Sequence, residues 1–300
     1  MSADKQQPVT VHINIPDGNA NGIWIVDRDL EWNGSVIVCP RACFEIARLM
    51  KQFNQPGVYI LYRPPDGENP LPKIYIGLAD PIKERLDNHY ANTKKDWWEK
   101  VFICIGDSGG KLNKTHIEHL EARLIQMAKL AKLCDDSENI AMPKLPTLST
   151  QGVQLVEDFL PKLLCVLHAL GLNIFVTPSI PNDGASGEKI AQKMFFSSSK
   201  KVAAKGYQSS GVFVVLAGSE AVLQTAAHAS EGMIAFRKSL ESKGVLKAEN
   251  GRLIFSQDYP FGFPSAAAQV ILGRSANGRI EWINDKGKSI KDLEVEAMMK

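Results

Sequence analysis

The chain has 300 residues, 44% hydrophobic and 23% charged, an ordinary composition for a soluble globular protein with room for two or three domains. Its 35 basic and 33 acidic residues leave a net charge of +2, so no global basic field attracts nucleic acid and any such surface must be local. No run approaches the roughly 20 apolar residues of a membrane helix, and the polar start Met1–Gln7 has no signal-peptide apolar segment, which points to a cytoplasmic protein with no membrane partner. The five cysteines, Cys39, Cys43, Cys104, Cys134 and Cys165, are an odd and scattered set that fits reduced thiols. Cys39 and Cys43 are four apart, but no second pair or nearby His completes a zinc site.

Residues 1–53 read as a β-rich segment followed by a helix. Val9–Ile15 alternates, Gly22–Val26 and Ser35–Cys39 are strand-like, and Asp17-Gly18-Asn19 and Asn33-Gly34 supply turns. Pro40 opens a helix to about Phe53, with Cys43, Phe44, Ala47 and Met50 on one face. This segment is a strand supplier for the next module, a dimerisation arm, or an appendage that orients DNA.

Residues 54–134 form the informative module. Val58–Arg63 and Ile74–Leu78 are apolar, aromatic runs suited to a pleated surface, and Pro64–Pro70 between them is rich in turn residues, so the pair reads as a hairpin with a long tip. Asp80 caps, and Pro81 starts, a helix to about Tyr90, on which Arg85 and His89 lie one turn apart and share a face. Trp98–Ile105 is a third strand, preceded by Lys94-Lys95 and Trp97-Trp98; cations beside aromatic rings suit nucleic-acid backbone contact and base stacking, and tryptophans at a strand start also suit a core. Asp107–Lys111 is a loop without the Lys-Ser/Thr ending of a phosphate-binding loop. A helix opens at Thr115 with Glu118 as its capping-box partner, and Ile117, Leu120, Leu124, Ala128 and Ala131 recur on its core face. Glu121 falls inside that apolar stripe, where a carboxylate is costly unless it meets a cation or a metal.

From about Gln55 to Leu133 these residues resemble the GIY-YIG nuclease domain. The two tripeptides read Gly57-Val58-Tyr59 and, fifteen residues on, Tyr75-Ile76-Gly77. Arg85 stands ten residues after Tyr75, where the family's catalytic arginine sits, and Glu121 precedes Leu124-Ile125 as the family's metal-binding glutamate precedes its Leu-Ile pair. The resemblance implies an endonuclease that hydrolyses phosphodiester bonds in DNA, with one Mg2+ or Mn2+ ion held by Glu121. It implies Arg85 as a clamp on a nonbridging phosphate oxygen. It also implies Tyr59 as the group that helps deprotonate the attacking water, its pKa lowered by the metal or by Arg85, with Tyr75 as its partner. His89 is a second base, a phosphate contact, or an exposed helix-end histidine. Two departures stand out: the linker between the tripeptides is long for the family, and Glu84 occupies a position that is often basic.

Residues 135–206 are a helical connector with loops. Gln154–Leu170 carries Leu155, Phe159, Leu163, Val166 and Leu170 at helical steps, Leu172–Val176 pairs as a strand, and Pro178–Gly187 is a loop. Residues 207–295 form a separate C-terminal domain. In it Gly211–Leu216 and Leu253–Phe255 are strands, Ser219 to about Thr225 is irregular, Met233–Lys243 is a helix closed by Gly244, and Ser265 caps a helix that ends at Gly273. From Val212 to about Leu293 the sequence is similar to a domain of unknown function of the DUF4357 type. The similarity rests on Pro264-Ser265-Ala266-Ala267-Ala268, Gly273-Arg274-Ser275-Ala276-Asn277-Gly278 and Trp282. Arg274 and Arg279 bracket its turn and are either nucleic-acid contacts or exposed arginines of a structural turn.

The expected fold is therefore α+β, a small mixed sheet flanked by helices with an N-terminal β unit and a separate C-terminal α+β domain. The expected function is a metal-dependent endonuclease centred on Tyr59, Tyr75, Arg85, His89 and Glu121, with flanking segments choosing the target. The alternatives are a catalytically silent nucleic-acid-binding or assembly protein on the same fold, and a nuclease acting on RNA or branched structures.

Overall fold

The computed structural model describes residues 8–299 apart from 29–31, 67, 107–111, 140–142, 176–193, 200 and 210. The chain is α+β and divides into two compact units, one of residues 1–64 and 73–175, the other of residues 65–72 and 176–300. The loops expected at Asp107–Lys111 and Pro178–Gly187 lie outside the described residues.

In the first unit β1 (Val11–Asn14), β2 (Trp24–Arg28), β3 (Gly34–Pro40), β4 (Gly57–Arg63), β5 (Lys73–Ala79) and β6 (Lys100–Gly106) form one sheet in the order β1-β2-β3-β6-β4-β5. Every pairing in it is antiparallel, so the sheet is not the mixed one expected. The N-terminal strands are not a separate arm, because β3 pairs along its whole length with β6 and supplies the centre of the sheet.

Side-chain alternation divides the sheet into two faces. On one, Val36, Val38, Val58, Ile60, Ile76, Phe102 and Cys104 are covered by α3 (Lys114–Ala131) and α4 (Thr150–Ala169), whose Ile117, Leu120, Leu124, Val156 and Phe159 complete an apolar core. On the other, Ile37, Cys39, Tyr59, Leu61 and Ile103 pack against α1 (Phe44–Ala47) and α2 (Ile82–Ala91).

Several local expectations change. The helix expected from Pro40 to Phe53 is broken: a 3-10 turn at Arg41–Cys43 leads into α1, Met50 is extended, and a second 3-10 turn at Lys51–Asn54 brings the Phe53 ring within 6.2 Å of Phe44. Burying both rings in one cluster outweighs continuing the helix. Pro81, not Asp80, occupies the N-cap position of α2 and makes no side-chain cap. Asn113 caps α3 in place of Thr115, its side chain accepting from His116 N–H while His116 Nδ1 accepts from Asn113 N–H. Leu172, Ile174 and Phe175 are buried, but residues 172–175 form no strand.

In the second unit β7 (Met194–Ser197), β8 (Lys205–Ser209), β9 (Val212–Val215), β13 (Tyr259–Phe261) and β14 (Trp282–Ile283) form a sheet in the order β13-β9-β8-β7-β14. A smaller sheet runs β10 (Glu220–Val222), β12 (Arg252–Phe255), β11 (Leu246–Glu249). Helices α5 (Glu231–Ser242), α6 (Pro264–Leu272), α7 (Gly278–Glu281) and α8 (Ile290–Met298) complete it. Strand β10 forms where an irregular stretch was expected, held by pairing with β12. Every side chain of α6 from Ala266 onward is buried. The buried Arg237 of α5 donates to the carbonyls of Val270 and Val222, placing its charge against the C-terminal end of α6, where the helix dipole favours a cation.

Candidate active site

The register of the β4–β5 hairpin sets the site. Tyr59 pairs with Gly77, and Leu61 with Tyr75, so Tyr59 and Tyr75 are diagonal neighbours on one face, with ring centroids 6.2 Å apart. The glycines of the two tripeptides have steric reasons. A Cβ on Gly77 would lie 2.5 Å from Tyr59 Oη, so only glycine lets the Tyr59 ring lie across β5. A Cβ on Gly57 would lie 2.5 Å from the Cys104 carbonyl of the neighbouring strand.

Helix α2 brings the basic groups to that face. Ile82 and Leu86 anchor it in the core and His89 is buried with them, while Arg85 stays exposed one turn before His89. Tyr59 Oη and His89 Nε2 are 2.8 Å apart, and the His89 ring lies 5.3 Å from that of Tyr75. The Arg85 side chain interacts with both phenols, which raises its own pKa. Tyr59, Tyr75, Arg85 and His89 thus lie together, and His89 is buried rather than an exposed helix-end residue.

The electrostatics correct one expectation. Arg85 pulls the Tyr59 pKa down, but burial, followed by Tyr75, pushes it up by more, so Tyr59 is a neutral phenol well above the usual tyrosine range. His89 moves the other way, to about 4, because burial and then the charges of Lys95 and Arg85 disfavour its cation. The pair is a neutral phenol hydrogen-bonded to a neutral imidazole.

Glu121 approaches from α3, in the other layer. It is half-buried, and among the described residues no cation pairs with it. Burial lifts its pKa to about 7, opposed by a hydrogen bond from the Leu78 N–H and reinforced by Glu118. That bond belongs to a series. Strand β5 is the sheet edge, and its outward amides are taken by the Asp135 carbonyl at Ile74 (2.9 Å), by Asn139 Oδ1 at Ile76 (2.8 Å) and by Glu121 at Leu78. Glu121 therefore stands beside the residue that follows Gly77, with a structural task besides a carboxyl group that no cation pairs with among the described residues.

The lysines divide. Lys94 is exposed, whereas Lys95 sits 3.7 Å from the centroid of the Tyr75 ring and 3.7 Å from Glu138, which also pairs with Lys73 at 3.0 Å. Lys95 thus orders Tyr75 as a cation–π partner. Trp98 is core, as its position at a strand start allows. Asn139 and Glu138 carry no sequence signal, since they act from a loop some sixty residues beyond the strand they support. In the second unit Arg274 pairs with Glu281 at 2.7 Å, and Arg279 is engaged by Glu294 through two nitrogens.

Among the described residues no helix is long and apolar enough to cross a membrane. Nor does any group of three or more His, Cys, Asp and Glu side chains among them stand ready to hold a metal. The site defines a tyrosine–histidine–arginine cluster on an antiparallel sheet, with one isolated carboxylate at the sheet edge. Comparison with known families places residues 194–294 in a domain of unknown function, DUF4357, which begins with β7 rather than at Val212 as the sequence suggested. No match to the GIY-YIG family accompanies it, and no curated protein and no solved structure matches the chain.

Proposed function

We propose that this protein is a metal-dependent endonuclease of the GIY-YIG type that hydrolyses phosphodiester bonds in DNA. The observation that carries the reading is the Tyr59–Tyr75–Arg85–His89 cluster: four groups with complementary chemistry, drawn from two strands and a helix, around hydroxyls that no packing requirement explains.

Arg85 is exposed and donor-only, suited to hold a nonbridging phosphate oxygen and to meet the charge that grows there. With Arg85 donating to Tyr59 Oη, the phenol proton points to His89 Nε2. As water attacks phosphorus and the P–O bond to the leaving oxygen breaks, Tyr59 takes the water's proton and passes its own to His89. Tyr59 thus never becomes a free phenolate, His89 ends as the cation, and the departing oxygen takes a proton from solvent. The bound diester anion offsets the charges of Arg85 and Lys95 that depress the His89 pKa, so substrate itself makes the imidazole a better base.

The residues present fit one Mg2+ or Mn2+ ion in the mode where a single carboxylate, substrate phosphate oxygens and retained waters complete the coordination, with Glu121 as the protein ligand. Bound there, such an ion supplies Lewis-acid stabilisation of the phosphate and of the departing oxygen.

The test is cleavage of supercoiled plasmid with Mg2+ or Mn2+, and of branched DNA and RNA in parallel. Wild type nicks DNA only with metal, and Arg85→Ala loses about 10²–10³-fold in rate. A second reading, a silent nucleic-acid-binding protein, is favoured by the complete burial of Tyr59 and by the edge-covering role of Glu121. A folded wild type that cuts none of the three substrates establishes it.

A further inference from the structure

The C-terminal unit holds a built recess, far in sequence from Tyr59 and independent of the nuclease reading. A cavity of about 570 Å3 opens over the start of α6, within the range of small-molecule and cofactor sites. Ser265 and Ala266 line it from the first turn of the helix, and no side chain caps that turn, so the positive end of the helix dipole is presented to whatever enters. Ser265 is held in place because its Oγ accepts the Gly278 N–H at 3.0 Å, which leaves its own O–H to donate. One turn further, Gln269 also lines the cavity. It is only 7% exposed, and its Oε1 has no hydrogen-bond partner. A buried amide oxygen without a donor is destabilising unless a visiting group supplies one.

The rim adds a cation and flat apolar surfaces. Arg274 is held across it by Glu281 at 2.7 Å and by the Ser275 carbonyl at 2.9 Å, with 43% of its side chain exposed. The half-buried ring of Phe263 forms one wall, and Pro65 and Pro70, which belong to the same unit, form another. Asp66 lies beside these prolines with its carboxylate accepting from the Glu68 and Asn69 amides, so the acidic wall is opposite in character to the Arg274 rim. The cavity therefore has an anion-accepting end, a stacking surface, and an amide oxygen able to meet a donor-bearing edge.

We propose that this cavity binds one unpaired nucleotide, with its phosphate at Arg274 and the α6 N-terminus, its base against Phe263, and a base N–H on Gln269 Oε1. The nucleotide is either a residue of a single strand or a free mononucleotide, since the recognising chemistry is shared.

The test uses the full chain in EDTA, where no cutting occurs, and reads anisotropy of a fluorescein-labelled 12-nucleotide single strand, competition by dAMP and by duplex, and thermal midpoints. Wild type binds the single strand more tightly than duplex. Arg274→Ala weakens binding at least tenfold and lowers the slope of log K against log salt by about 0.7, one phosphate contact. Gln269→Leu weakens it about fivefold while its thermal midpoint holds or rises, because the orphan oxygen is gone. A single strand bearing 5-iododeoxyuridine cross-links within residues 263–277. A thermal midpoint raised by dAMP in wild type and not in Arg274→Ala, with no binding of the strand, assigns the site to free nucleotides. Unchanged affinity in both folded variants, or cross-links confined to the first unit, overturns the proposal.

Discussion

The two faces of the β4–β5 hairpin share the same strands and differ in what they bury. On the α3–α4 side Val58, Ile60, Ile74 and Ile76 lie in one apolar cluster with side chains of α3 and α4, and the face closes as a core. On the α2 side Tyr59 and Tyr75 meet Arg85 and His89, and the local pKa values depart in opposite directions: Tyr59 up and His89 down to about 4. A sheet selected for stability alone would repeat the first face. The second leaves polar groups where burial penalises their charge, the pattern expected where function overrides packing. Glu121 belongs to neither face, reaching from the apolar side to the edge of β5.

The largest separation between the faces is expected in activity. Arg85→Ala removes the rate and leaves the fold, because Arg85 is exposed and its partners keep their contact. Ile60→Ala on the other face does the reverse: it costs about 2–5 kcal/mol in denaturant unfolding while the folded fraction keeps its rate. Gly77→Ala couples the two, since its methyl meets the Tyr59 hydroxyl; about 1–3 kcal/mol of stability and most of the activity are lost together.

Smaller effects come from pH. Metal binding needs the ionised Glu121 carboxylate, so the apparent affinity for Mn2+ followed by titration is constant above about pH 7 and falls about tenfold per unit below it. The stability signs oppose each other. The raised pKa of Glu121 means the folded state holds a proton the unfolded state has released, so this residue's contribution falls as pH rises through the window up to about 7. The lowered pKa of His89 gives stability that is full above its ordinary 6.5 and is lost as pH falls toward about 4. The two windows overlap between pH 4.5 and 6.5, where the slopes oppose, so His89→Gln leaves a profile that falls with rising pH there and Glu121→Gln leaves one that rises.

Much of the centre was legible because it rests on short-range periodicities. The two-residue period of a strand puts Tyr59 and Tyr75 on one face once their strands pair, and the four-residue step puts His89 beside Arg85. The anomaly of Glu121 in an apolar stripe was also visible, but its partner was not: an edge-strand amide cannot be read from a sequence that does not state which strand is the edge. Asn139 and the Asp135 carbonyl were invisible for the same reason. The helix expected from Pro40 to Phe53 failed because local propensity cannot foresee that Phe53 must fold back onto Phe44. In the C-terminal unit Gly273 ended its helix as expected, with φ at 61°, whereas β10 and β11 exist only through pairing with β12.

The most direct test of the central claim, that Glu121 holds the catalytic ion at the edge of β5, is the Glu121→Gln variant measured for plasmid nicking and thermal stability at pH 8. The amide keeps an oxygen for the Leu78 N–H and removes the desolvated charge, so the account predicts loss of metal-dependent nicking with an unchanged or raised thermal midpoint, the gain held below about 1 kcal/mol by partial exposure. Nicking retained at the wild-type rate and metal dependence would contradict it.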